Sequence, residues 1–232
     1  MYQYTEALAI SVSFFFIIGG LFRSIPYWRT IYMNESMLDT KHTLIDRFWR
    51  IAPPYYAALI VSFLLALILG ISGPDAIMRL VSGLAFLSWV HPSTLFPVDI
   101  NGPLWYVSYD IMGLLIVMGI MIFLVKIPKK YISLGLFGSG ALLLGLHFVF
   151  IHIPFPVSDG VANAWFPTYN PFLFGLHFLI GIVIGWGYIV GETNKRANSF
   201  VYDIIASVAF ISILVFLWNI REAADFDYSW PR

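Results

Sequence analysis

Long apolar runs dominate this chain and restrict it to one kind of fold. A helix that crosses the hydrocarbon core of a bilayer needs about 20 consecutive apolar residues. Five of the runs meet that length, the first is slightly short, and the third is clearly too short. With 59% of its 232 residues hydrophobic and 11% charged, the chain has the composition of an integral membrane protein. The runs cover residues 7–22, 51–72, 77–90, 103–125, 131–153, 172–190 and 200–219.

The positions of lysine and arginine indicate whether the short run 77–90 crosses, because these residues collect in cytoplasmic loops. If the run does not cross, ten of them lie on the cytoplasmic side and three outside; if it crosses, the split is seven to six. We therefore predict an all-α polytopic membrane protein, a single domain over 1–232. It has six spanning helices, the first entered from outside, plus one short re-entrant or outer-surface helix. The layout assigns a basic cytoplasmic loop to 23–50 and outer loops to 73–102 and 154–171.

Charge and cysteine content exclude several classes of function. The 13 basic and 13 acidic residues balance, so the chain has no general attraction for nucleic acid, and we expect no nucleic-acid partner. Without cysteine it has no disulfides, thiol nucleophiles or cysteine zinc sites. No pair of histidines has the spacing of a zinc site, so we predict no metal centre.

The stretch "RFWRIAPPYY" (47–56) places two arginines at the start of the second span. Arg47 and Arg50 are three residues apart and share one helix face. Pro53 and Pro54 lack N–H donors, so we expect the helix to kink or restart there. The arginines have two interpretations: they follow the positive-inside rule and contact lipid phosphates, or they seat a phosphorylated ligand from the cytoplasm, because guanidinium groups match phosphate oxygens in pairs.

The stretch "NGPLWYVSYDIMGLLIV" (101–117) carries Ser108 and Asp110 inside an otherwise apolar span. An aspartate at mid-membrane costs about 2.5–3.5 kcal/mol, so it is usually kept for a partner or a function. In the predicted layout Asp110 lies near the outer end of its helix. Its carboxylate is therefore either satisfied by water or a backbone N–H, or part of a functional site.

No histidine is expected to be oriented by a carboxylate at helical spacing. His177, in "GLHF", is expected to bond to a neighbouring helix and is the histidine to test first. The glycine-rich stretch "LGLFGSGALLLGL" (134–146) predicts close helix packing through a face with Gly138 and Ala141.

Four stretches resemble, in order and approximate spacing, motifs of the acyltransferase 3 family, membrane O-acyltransferases that use acyl-coenzyme A. "FFIIGGLF" (15–22) looks like "FFxxSGFL", and "RFWRIAPPYY" (47–56) is similar to "RRxxRIYPxY". "PLWYVSYDI" (103–111) is similar to "PLWSLSVEF", with aspartate in place of glutamate. "LHFLIGIVIG" (176–185) looks like "xEFLLGxxxG", with histidine in the acidic position. The resemblance covers nearly the whole chain.

The resemblance implies a function. An acyl group, usually acetyl, would pass from cytoplasmic acyl-CoA, a co-substrate rather than a tightly bound cofactor, to a hydroxyl of an extracytoplasmic glycan such as a cell-surface polysaccharide. Arg47 and Arg50 would hold the pyrophosphate or 3′-phosphate of coenzyme A. Trp105, Ser108 and Asp110 would shape the acceptor side. The implied location is the inner membrane of a bacterium, with the lipid bilayer as partner.

The acceptor side has two further candidates, and the catalytic group is not identified. Trp165 and Tyr169, in an outer loop, are candidates for stacking on a sugar ring. The family begins with a helix that bears a basic residue and a histidine general base, whereas this chain starts at the family's second helix and ends before its last ones, so we expect a fragment. The catalytic candidates that remain are Asp110, Ser108 and His177. The oligomeric state stays open.

Two other classes of function compete with acyl transfer. A permease would carry charged residues in the middle of several spans and broken helices in corresponding halves. The predicted layout shows neither feature. A non-catalytic membrane scaffold is the third possibility, and it would bind coenzyme A without turnover.

Overall fold

The computed structural model describes residues 3–73, 75–98, 100–153 and 170–193, with side chains from residue 12 onward. Within these ranges the chain forms six α-helices, three short 3₁₀ turns and no strand. The α-helices are α1 (Gln3–Met33), α2 (Thr40–Ile68), α3 (Ala76–Leu84), α4 (Trp105–Lys126), α5 (Ile132–Ile151) and α6 (Pro171–Thr193).

Four helical segments are long and apolar enough to cross a membrane: Thr40–Ile68, Gly102–Lys126, Lys129–Ile151 and Pro171–Thr193. They contain α2, α4, α5 and α6 and correspond to four of the six predicted spans. The first predicted span lies within α1, and the last, 200–219, lies outside the described residues. The prediction of an all-helical integral membrane protein is confirmed, while the count of six spans stays a prediction.

Most of the predicted cytoplasmic loop 23–50 is helical, and its position on the cytoplasmic side stays a prediction. α1 continues to Met33 and α2 begins at Thr40, so only residues 34–39 connect them. Asn34 ends α1 with a φ of 57°, a left-handed conformation that asparagine tolerates at helix ends. The Asp39 side chain then accepts a hydrogen bond from the His42 amide at 3.1 Å and caps α2.

Two further boundaries differ from the sequence-based expectation. α2 stays helical through Pro53 and Pro54 and does not restart there. α6 begins at Pro171, where the Asn170 side chain accepts a hydrogen bond from the Phe172 amide at 2.8 Å. Proline in the first helical turn costs no hydrogen bond, because that N–H lacks an intrahelical partner anyway.

The predicted outer segment 73–102 contains α3, which has nine residues and cannot cross a bilayer. Two tyrosines of α2 fasten its C-terminal end. The Tyr55 hydroxyl donates to the Gly83 carbonyl at 3.1 Å, and the Tyr56 hydroxyl donates to the Leu84 carbonyl at 2.9 Å. Whether α3 enters the membrane or lies on its surface stays a prediction.

α1 and α6 run parallel and in close contact. The rings of Phe16 and Phe174 lie 4.9 Å apart near one end of the pair. Further along, the Trp28 indole donates to the Ile182 carbonyl at 3.0 Å. A Cβ on Gly181 would lie 2.0 Å from the Ile17 carbonyl oxygen and one on Gly20 2.1 Å from the Phe178 carbonyl oxygen. The two backbones can therefore touch only because both positions are glycine.

α4 runs parallel to α1 as well. The rings of Phe15 and Tyr106 lie 6.4 Å apart, and further along both helices Arg23 meets Asp110. α2 is the single long helix between α1 and α4 in the chain, so one return crossing accounts for their common direction. We call α1, α4 and α6 the three-helix core.

α5 lies at the edge of this core. An apolar groove of about 620 Å³ stays open between α5 and α4, and Gly119 of α4 lines it. Gly138 lines the groove, and a Cβ added there would meet no described atom within 4 Å. Ala141 is exposed. The predicted close packing through the Gly138 and Ala141 face is therefore wrong for the part of the chain that the structure describes.

Candidate functional site

A buried ion pair joins α1 to α4 inside the three-helix core. The Arg23 Nη2 atom lies 2.5 Å from the Asp110 Oδ1 atom, and the two side chains are only 9% and 11% exposed. Arg23 Nη1 also donates to the Asp110 backbone carbonyl at 3.4 Å. The Phe178 ring on α6 lies 5.4 Å from the guanidinium carbon. All three core helices therefore contact the same cation.

The pair changes the interpretation of Asp110. Asp110 is a buried residue held by a cation from another helix, rather than an interfacial carboxylate satisfied by water. Because Arg23 and Asp110 lie on different helices, the structure contains a buried interhelical charge pair that the sequence-based layout lacked. Removing one partner of a buried pair leaves an uncompensated charge, which typically costs about 3–5 kcal/mol.

Arg47, on α2, approaches this pair. Its side chain is half-buried, and its guanidinium lies close enough to Arg23, Arg50 and Asp110 for their charges to act on it. Arg50 itself is exposed. Of the two arginines predicted to seat coenzyme A, Arg47 is therefore half-buried and Arg50 is exposed, and their charges act on one another.

Ser108, a catalytic candidate, is fully buried and ties α4 to the segment after α3. Its hydroxyl donates to the Ser88 hydroxyl at 3.2 Å. The Thr94 hydroxyl donates to the Ser88 backbone carbonyl at 3.3 Å, so Ser88 joins the Ser108 and Thr94 hydroxyls in one buried polar cluster. A serine nucleophile needs an adjacent base, and the partner seen here is another hydroxyl.

Trp105, predicted to shape the acceptor side, is buried in an aromatic cluster. Its ring stacks on Phe174 of α6 at 5.8 Å and meets Tyr109 edge-on at 5.1 Å. In this arrangement the indole supports the packing of α4 against α6. Trp165 and Tyr169, the other acceptor-side candidates, lie outside the described residues.

His177 bonds to its own helix rather than to a neighbour, contrary to the expectation. Its Nδ1 atom donates to the Leu173 carbonyl at 3.0 Å, which leaves Nε2 as the ring atom able to accept a proton. The expectation that no histidine has a carboxylate partner is also wrong. His42 Nδ1 and Asp46 Oδ2 lie 2.8 Å apart on α2, but these side chains are 74% and 63% exposed.

Arg23 is the site residue that sequence reasoning missed. It was assigned to a cytoplasmic loop because the apolar run before it ends at Phe22. A signal was present, since a lone arginine between "GGLF" and "SIPYW" interrupts a stretch long enough to span. Read with an aspartate inside another span, that arginine predicts an interhelical pair.

Three of the four motif-like stretches meet in the three-helix core. "FFIIGGLF" supplies Gly20, "LHFLIGIVIG" supplies Gly181, and "PLWYVSYDI" supplies Asp110. The fourth, on α2, reaches this core through Arg47. Among the described residues no group of three or more histidine, aspartate or glutamate side chains is placed to hold a metal ion.

A family model described as an acyltransferase domain matches residues 2–232. No curated protein and no solved structure matches the chain.

Proposed function

Because the chain belongs to the acyltransferase 3 family, we propose that it transfers an acyl group, most simply acetyl, from cytoplasmic acyl-CoA to a hydroxyl of an extracytoplasmic carbohydrate. The hydroxyl oxygen bonds to the acyl carbon, the carbon–sulfur bond breaks, and the hydroxyl proton ends on the thiol of free coenzyme A. The family and the four apolar helices support a membrane acyltransferase in general. The donor, the acceptor and a bacterial inner-membrane location are the proposed part.

The position of Arg47 is the observation that most supports this donor. Arg47 and Arg50 lie three residues apart near the start of α2, and the charges of the buried Arg23–Asp110 pair act on Arg47. Coenzyme A carries phosphates at one end and the thioester at the other. A phosphate held by this arginine pair would leave the rest of the donor free to extend toward the core, since guanidinium groups bind phosphate oxygens in pairs.

The proposal is tested by measuring acetyl-CoA binding to the full chain in lipid nanodiscs. We expect Arg47→Ala/Arg50→Ala to weaken binding by about tenfold or more, because a hydrogen bond to a charged group contributes about 1.5–3 kcal/mol. The matched control is Lys129→Ala/Lys130→Ala, two exposed cations in the 3₁₀ turn between α4 and α5. Equal losses in the two double variants would show non-specific attraction and contradict the assignment.

Turnover can be measured as the release of free coenzyme A, without interference from thiols of the protein. Free coenzyme A carries a thiol, and the protein contains no cysteine that would react with a thiol reagent. Acetyl-CoA supplied to membrane vesicles should therefore give thiol and labelled carbohydrate in equal amounts. Binding without thiol release would favour the non-catalytic scaffold.

A permease is the second candidate, and the Arg23–Asp110 pair favours it. Buried charges within spans are typical of transport pathways. The same vesicles separate the two functions: a permease moves a solute across the membrane without covalent labelling of carbohydrate and without release of thiol. Solute movement that does not depend on acetyl-CoA would replace the acyltransferase proposal.

A further inference from the structure

Three buried hydrogen-bond donors on α1 have no partner among the described residues, and two of them, Arg23 Nε and the Tyr27 hydroxyl, share a helix face; the third is Arg29 Nε. The Tyr27 side chain is 2% exposed, and its hydroxyl makes no hydrogen bond to them. The Nε atom of Arg23 is equally buried and also unpartnered, although the same guanidinium binds Asp110 through its other nitrogens. A buried polar group without a partner destabilises the fold, so two of them side by side need an explanation.

The two donors lie on one face of α1. Arg23 and Tyr27 are four residues apart, which places them one above the other on the helix. Tyr27 is the nearer of the two to the 34–39 connection, and Arg23 lies one turn further along. Arg47 is within electrostatic range of both, so these two hydrogen-bond donors lie in the same region as the proposed binding site for acyl-CoA.

The positive charges of this region favour a ligand that accepts hydrogen bonds over one that donates them. Arg23, Arg47 and Arg50 carry three positive charges, and the Asp110 carboxylate pairs with Arg23 and acts on Arg47. Asp110 already engages two nitrogens of Arg23. A group that satisfies both Arg23 Nε and the Tyr27 hydroxyl must offer lone pairs and reach the face of α1 from the side of Arg47.

Building on the proposed function, we infer that Arg23 and Tyr27 bind the thioester carbonyl oxygen of the acyl donor, with Asp110 as the positioning residue that holds the Arg23 guanidinium. A carbonyl oxygen has two lone pairs and accepts from two donors. It also gains negative charge when a hydroxyl adds to its carbon, so a cation and a hydroxyl placed beside it stabilise transfer more than binding. Coenzyme A without an acyl group lacks this oxygen.

The test compares acetyl-CoA with coenzyme A as probes for the full chain in nanodiscs. Tyr27→Phe keeps the ring and removes only the hydroxyl. We expect it to weaken acetyl-CoA by roughly two- to tenfold, the value of one hydrogen bond, and coenzyme A by less than about twofold. Thermal stability without ligand should not fall, because the hydroxyl has no protein partner to lose.

A second variant examines the guanidinium without leaving a buried charge unpaired. Arg23→Gln/Asp110→Asn removes both charges together, and it should also weaken acetyl-CoA selectively. Tyr56→Phe is the matched control, because the Tyr56 hydroxyl donates to the Leu84 carbonyl. It should leave the ratio of the two dissociation constants unchanged.

The outcomes separate this inference from the function on which it rests. Equal weakening of both probes by Tyr27→Phe, or no effect on either, overturns the carbonyl contact. Arg47→Ala/Arg50→Ala should weaken the binding of both probes alike. If it does not, the proposed arginine site for the phosphates of coenzyme A is wrong, whereas the Tyr27→Phe comparison still tests the carbonyl contact. If the wild-type chain binds neither probe, both proposals are wrong.

Discussion

The core helix α4 and the peripheral helix α5 have similarly apolar sequences but pack very differently. In α4, 67% of the most apolar 18 residues are buried, against 17% in α5. Glycines show the same contrast. A Cβ on Gly181 would collide with the backbone of α1, whereas one on Gly138 would meet no described atom within 4 Å.

The contrast shows that hydropathy predicts which helices enter the membrane but not which lie at the centre of the bundle. Lipid tails are as apolar as the side chains of a neighbouring helix, so burying an apolar side chain against a helix brings no hydrophobic gain. Close packing and polar contacts therefore determine which helices lie together. The core has both kinds of contact, in the glycine crossing of α1 with α6 and in the Arg23–Asp110 pair. The two helices at the groove, α4 and α5, present only apolar and small side chains there apart from Ser139 and Tyr131.

The largest effect is expected from breaking the buried pair. Asp110→Leu leaves the Arg23 guanidinium buried without its counter-ion, and we expect the free energy of unfolding to fall by about 3–5 kcal/mol. Arg23→Leu/Asp110→Leu should recover most of that loss, because apolar groups often replace a buried pair without penalty. Denaturation of each purified variant in detergent measures the difference.

The exposed pair on α2 is the control for this prediction. Asp46→Asn removes the partner of His42, and exposed pairs contribute about 0–1 kcal/mol. Similar losses for Asp110→Leu and Asp46→Asn would mean that the core pair is no more important than a surface contact. The distinction between core and periphery would then have to rest on packing alone.

A smaller effect is expected from filling the glycine crossing. Gly181→Ala places a methyl group against the Ile17 carbonyl oxygen, and overpacking of this kind costs about 1–3 kcal/mol or more. Gly138→Ala adds the same methyl group beside the groove, where it should change thermal stability little. If Gly138→Ala is as harmful as Gly181→Ala, then α5 is covered in the assembled protein and the comparison with the core no longer holds.

The smallest effect on stability is expected from removing a hydrogen bond between α2 and the short helix α3. Tyr55→Phe removes the hydroxyl that donates to the Gly83 carbonyl, and we expect a loss of about 0.5–1.5 kcal/mol in the free energy of unfolding. Limited proteolysis between α3 and α4 should become faster, because α3 loses one of its two tyrosine contacts. Unchanged proteolysis and stability would show that apolar packing alone holds α3.

The sequence predicted the helical class and the four described spans because both depend on length and hydropathy. The family resemblance likewise depended on short local patterns such as "PLWYVSYDI", and the family match confirms it. The short α3 was expected from its length. The continuation of α1 through Arg23 was missed, since the cost of that charge is offset by Asp110, 87 residues later in the chain.

The candidate site was harder to predict for the same reason. Asp110 and Arg47 were recognised as unusual, but which groups face them depends on how α1, α2 and α4 pack. The Tyr27 hydroxyl gave no sequence signal, because tyrosine near the end of a span is ordinary in an interface belt. Its burial without a partner becomes visible only once the neighbouring helices are in place.

The separation of Arg23 and Asp110 along the chain also affects how the protein is made. A ribosome that inserts helices in order delivers α1 to the membrane before α4 exists, so Arg23 waits without its counter-ion while 87 further residues are synthesised. An arginine raises the free energy of inserting a span, by about 2.5–3.5 kcal/mol when it lies at the centre. Until α4 is made, the apolar residues of α1 have to offset the cost of Arg23 without help from Asp110.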